Sequence, residues 1–87
     1  MKNKILELSN ELSEMILESE VFEGSIELRI MKDREYKLTL LHFHSYYRYS
    51  NTSIEVYNFS DEQRFEEFRK QAIDCIKNNT ILERWGL

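Results

Sequence analysis

Residues 25–32 read Ser25-Ile26-Glu27-Leu28-Arg29-Ile30-Met31-Lys32, and the alternation in this stretch decides the fold. Ile26, Leu28 and Ile30 fall on one side of an extended chain, with Glu27, Arg29 and Met31 on the other. A period of two is what a strand shows when one of its faces is covered and the other is wet. Downstream, Lys32-Asp33-Arg34-Glu35 is a short polar connection suited to a hairpin turn, and a second strand is expected from about Tyr36 to Tyr49. The pattern of that second strand slips. Leu38 and Leu40 share one face, whereas Leu41 and Phe43 share the other. Either a β-bulge near Leu40-Leu41 brings all four to the core side, or both faces of the strand need partial cover. Ser50-Asn51-Thr52 reads as the next turn, and Ser53–Phe59 as a third strand with Ile54 and Val56 inward.

Helices flank the strands on both sides in the chain. Ile5, Leu8, Leu12, Met15 and Ile16 recur at steps of three and four, which predicts an amphipathic helix over roughly residues 3–22. Gly24 is its natural stop, because glycine accepts the left-handed conformation that ends many helices. Ser60, with Gln63 three residues on, makes a capping box that opens a second helix. Phe65, Phe68, Ala72, Cys75 and Ile76 line one face of that helix as far as about Asn78. Thr80 and Glu83 form another capping box, predicting a last helical turn with Ile81, Leu82 and Trp85, closed by Gly86. The expected fold is α+β and two-layered: a three-stranded antiparallel sheet with helices on one face, in the order αβββα plus the short C-terminal helical turn.

The 87 residues make one small domain, 1–87, with no Pro, two Gly and therefore no linker. A hydrophobic content of 41%, with 13% aromatics, supplies a core despite 32% charged residues. No apolar run has the length of a membrane span, and the N-terminus lacks the apolar stretch of a signal peptide. The single cysteine, Cys75, forms no internal disulfide and fits a reducing compartment. The expected location on these features is the cytoplasm.

The net charge of −4 belongs to the first helix. Residues 1–24 hold six acids against two bases, and the other 63 residues are balanced at ten and ten. Glu7, Glu11, Glu14 and Glu18, at steps of four, three and four, form a stripe about 60° wide along the helix. A solvated face accounts for such a stripe. Equally, carboxylates about 5–6 Å apart imitate backbone phosphates and steer association with a basic partner. Leu6 and Leu17 point well away from the apolar face, with Val21 near them. Either the C-terminal turn covers them as core contacts, or they are the apolar centre of an interface with Glu14 and Glu18 as the rim.

His42-Phe43-His44-Ser45-Tyr46-Tyr47-Arg48-Tyr49 is the most aromatic segment. Tyr46, Tyr47, Arg48 and Tyr49 suit either an exposed sheet face or a surface that stacks bases or anchors a partner chain. His42 and His44, at i and i+2, would face one ion if both pointed outward, with Glu27 and Glu55 as the only further donors. Neither a Gly-x-Ser-x-Gly elbow nor a Gly-rich phosphate loop is present. No His remains to activate Cys75 if both strand His face solvent. The chain reads as no enzyme, with no cofactor.

The helix–three strands–helix order over residues 3–78 resembles the double-stranded RNA-binding domain. That resemblance implies a basic cluster at the start of the second helix, where this chain has Ser60-Asp61-Glu62-Gln63. It also implies a longer first hairpin loop than Asp33-Arg34-Glu35. Acids at that helix end repel RNA, so the topology is retained and the function is not. In its small size, acidity and architecture the chain resembles phage-encoded inhibitors, the anti-CRISPR proteins among them, with Glu7, Glu11, Glu14 and Glu18 as the residues that carry the likeness. The resemblance implies a DNA-mimicking inhibitor that masks a basic, nucleic-acid-handling protein. The alternative is a module that binds nucleic acid or protein through the Tyr/Arg hairpin, or a homodimer through the edge of the third strand.

Overall fold

The computed structural model describes residues 2–83. Helix α1 (Lys2–Glu18) is followed by strands β1 (Gly24–Met31), β2 (Glu35–Phe43) and β3 (Asn51–Tyr57) and by helix α2 (Glu62–Asn78). The strands form one antiparallel meander in the order β1-β2-β3. Both helices lie on the same face of the sheet, α1 over β1 and β2 and α2 over β3, and they pack against each other. The expected order αβββα and the two-layer α+β fold are therefore observed.

Three core rows run across the covered face: Gly24, His42 and Thr52; Ile26, Leu40 and Ile54; Leu28, Leu38 and Val56. Ile5, Leu8 and Leu12 of α1 and Phe65, Phe68, Ala72, Cys75 and Ile76 of α2 close over them. The register between β1 and β2 is unbroken from Gly24 opposite His42 to Met31 opposite Glu35, so there is no bulge at Leu40-Leu41. Leu41 and Phe43 instead sit on the outer face with Thr39 and Lys37, and Phe43 is exposed.

Local hydrogen bonds move several boundaries. Helix α1 ends at Glu18 rather than near residue 22, because Ser19 takes over the chain end. Its Oγ accepts from the N–H of Val21 (3.3 Å) and Phe22 (3.1 Å) and donates to the Ile76 carbonyl at 2.8 Å. Gly24 is thus the first strand residue rather than the helix stop, and it is required there for another reason. A Cβ at this position would collide with the Leu41 carbonyl and the Phe22 ring. The cap of α2 is Asp61, whose Oδ1 accepts from Arg64 N–H at 2.8 Å. Ser60 Oγ is used by Tyr57 N–H (3.0 Å) and caps nothing. Strand β2 stops at Phe43, not Tyr49, and residues 44–50 form the loop to β3.

After Asn79, a left-handed C-cap, residues 80–83 are irregular and double back along α2. The N–H of Glu83 donates to Gln71 Oε1 at 2.8 Å, so the Thr80–Glu83 capping box does not form. Trp85 and Gly86, the rest of the expected helical turn, lie outside the described residues.

Candidate functional site

The acidic stripe faces two ways. On one side Glu7, Glu11 and Glu14 line a shallow groove between the helices, which Glu66 and Arg69 of α2 line from across. Glu11 is already committed: Arg69 donates to its Oε2 at 3.1 Å, both groups being part-buried. Lys4 caps one end of the groove, 5.1 Å from the Phe65 ring centroid and 3.5 Å from Glu62 Oε1. Glu7, Glu14 and Glu18 are exposed. The structure therefore brings Glu7, Glu11 and Glu14 together with Glu66, a contribution from α2 that the helix periodicity of α1 could not reveal.

Leu6 and Leu17 do not share an environment. Leu17 is 86% exposed, with Val21 half-exposed one turn on, whereas Leu6 is half-buried. Since Glu11 marks the flank of α1 that faces α2, the flank with Ser9 and Ser13 faces away from α2, toward the free side of β1. Leu6 and Leu17 sit between that flank and solvent.

The histidine pair is not a metal site. His42 belongs to the even-numbered face of β2 with Leu38 and Leu40 and is fully buried, so it points away from Glu27 and Glu55, which occupy the outer face. Both of its nitrogens are taken: Tyr47 Oη lies 2.8 Å from Nδ1 and Asn79 Oδ1 lies 2.7 Å from Nε2. Tyr47 Oη also accepts from Leu82 N–H at 2.7 Å. The bonds close with one proton on the imidazole: Leu82 N–H to Tyr47, Tyr47 O–H to Nδ1, and Nε2–H to Asn79. Phe22 stacks on the ring at 5.6 Å. His44 Nδ1 accepts from Tyr46 N–H at 3.0 Å. Among the described residues no group of three or more His, Cys, Asp or Glu is arranged to hold a metal ion.

The loop divides the aromatic segment. Tyr47 turns inward, and burial pushes its phenol above the usual tyrosine range, with the neighbouring Cys75 adding to this and the Leu82 hydrogen bond opposing it. Tyr46 and Tyr49 remain 74% and 75% exposed, and the Arg48 guanidinium lies 5.4 Å from the Tyr49 ring centroid. Cys75 is fully buried, and its thiol is pushed up to about 12 by burial, which keeps it protonated and unreactive at neutral pH.

No family model, curated protein or solved structure matches this chain. Its side-chain chemistry is then the ground for a functional reading. No helix of the described residues is long and apolar enough to cross a membrane. His42, Tyr47 and Cys75 are engaged in the interior. The surface presents charge, aromatic area and the exposed aliphatic side chains Leu17, Val21 and Ile30.

Proposed function

We propose that this protein is a non-enzymatic interaction module that binds a basic partner, a nucleic-acid-handling protein, through the acidic face of α1 and its groove with α2. In this reading it is an inhibitor of the anti-CRISPR kind, masking its partner's nucleic-acid surface. The observation that carries the proposal is the groove itself. Glu7, Glu14 and Glu66 surround a position where a carboxylate, Glu11, already receives a guanidinium from Arg69. A second arginine or lysine entering the groove would meet Glu7 and Glu14, which hold no ion pair among the described residues. Charge-assisted pairing of this kind sets encounter rate and specificity and weakens as salt rises. Leu17, beside Glu14 and Glu18, supplies apolar contact.

The test is a nuclease-treated pull-down eluted by a salt gradient, run with the native chain and with a Glu7→Lys/Glu14→Lys variant. Glu11 is left intact because it holds Arg69. A basic protein retained by the native chain and lost from the folded variant supports the reading; equal retention by both overturns it. A second reading rests on the exposed Tyr46 and Tyr49 with Arg48, a surface able to stack unpaired bases. Mobility shift of single-stranded oligonucleotides at low salt, lost on Tyr46→Ala/Tyr49→Ala, would favour it.

A further inference from the structure

Among the described residues strand β1 is an edge, with β2 as its one neighbour in the sheet. Phe43 N–H donates to Glu23 O at 2.9 Å, so the odd-numbered residues of this strand exchange hydrogen bonds with β2. Ile26, Leu28 and Ile30 therefore turn their N–H and C=O groups outward. Three of the usual protections of an exposed edge are missing: there is no Pro, no bulge and no charge on the covered face.

Ile26-Glu27-Leu28-Arg29-Ile30 reads the same in both directions, except that its two charges are opposite in sign. We propose that the protein self-associates through β1, two copies pairing antiparallel about Leu28 into one continuous six-stranded sheet. In that register Leu28 meets its own copy and Ile26 meets Ile30, so the three residues with outward backbone groups face one another and form about six hydrogen bonds. On the outer face Glu27 stands across from Arg29 twice. The neighbouring registers put Glu27 or Arg29 opposite itself, and like charges directly opposed are destabilising.

Three features of the single copy fit this partner. Arg29 lies across from Lys37, a like charge that Glu55 already engages at 3.9 Å, and neither Arg29 nor Glu27 has an ion pair among the described residues. Ile30 is 64% exposed although it lies on the covered face of the sheet, and pairing sets it against Ile26 beneath the second copy's α1. Helix α1 packs on both β1 and β2, so strand spacing puts the two α1 helices about 10 Å apart, a helix-packing distance. The flank they would present to each other has small Ser9 and Ser13 at its centre, with Leu6 and Leu17 above. The opposite edge offers no such match. Self-pairing of β3 sets Glu55 against itself or against uncharged residues, and Ser60 Oγ already takes Tyr57 N–H.

Glu27 and Arg29 are both exposed on the outer face, so their charges can be exchanged without touching the core. Sedimentation velocity over a dilution series should show a dimer of the native chain. Glu27→Arg alone and Arg29→Glu alone should each weaken it about tenfold or more, and the double exchange Glu27→Arg/Arg29→Glu should restore it. A native chain that stays monomeric at the highest concentration overturns the proposal. So does a dimer indifferent to the single changes, or one that the double exchange fails to recover, with circular dichroism confirming that each variant is folded.

Discussion

The two ends of the covered sheet face invert the usual assignment of residues to inside and outside. At one end a histidine is completely buried; at the other an isoleucine on the same face is largely exposed. The difference lies in what covers each end. His42 sits beneath the C-terminal end of α2 and the returning tail, where Tyr47, Asn79 and Phe22 supply both hydrogen bonds and a stacking surface. Ile30 belongs to the last β1–β2 pair on the covered face, opposite a half-buried Tyr36, and remains open. Burial in so small a domain follows helix coverage first and residue polarity second, provided that buried polar atoms find partners. Here they do: among the described residues no buried side-chain nitrogen or oxygen lacks one.

That contrast is broken most severely by His42→Ala. The variant leaves a cavity and strands Asn79 Oδ1 and the Tyr47 hydroxyl together, and should cost about 4–5 kcal/mol in urea unfolding at neutral pH. Alkali attacks the same end. The Cys75 thiol is held at about 12 in the folded chain against 9.0 when free, so the unfolded chain loses its proton first. Stability should therefore fall as pH climbs from about 9 toward about 12. Tyr47, also shifted upward, adds to the loss above its ordinary range near pH 10. A Cys75→Ala variant should show a flatter decline over the same window, measured as denaturation midpoint against pH. Tyr47→Phe removes one hydroxyl from the knot, leaving Leu82 N–H and His42 Nδ1 without it, and should cost about 2 kcal/mol. At the open end, Ile30→Thr should change the unfolding free energy of the dilute monomer by no more than about 0.5 kcal/mol. A loss of about 2 kcal/mol there would mean that the open end is covered after all.

The candidate site was legible in the sequence only along single elements. The stripe Glu7, Glu11, Glu14, Glu18 was visible because a helix has a fixed period. Its relation to Arg69 and Glu66 was not, since those residues lie more than fifty positions away and meet it only when α2 packs beside α1. Likewise the step of two from Leu38 through Leu40 to His42 already placed His42 on the core face. The competing pair Leu41 and Phe43 obscured that signal, and nothing local disclosed that Tyr47 would leave the strand and turn back to bond it.

By itself the sequence determined the two long helices, the three strands and their order. Periods of two and of three to four survive any packing, because they follow from the geometry of strand and helix. Tertiary structure alone decided that Glu11 is spent on Arg69, and that a histidine is inside while Ile30 is not. Each of those outcomes is a choice among partners distant in the chain, and a hydrogen bond or an apolar contact acts only over a few ångströms. Such choices are made when the layers close, and local pattern carries no record of them.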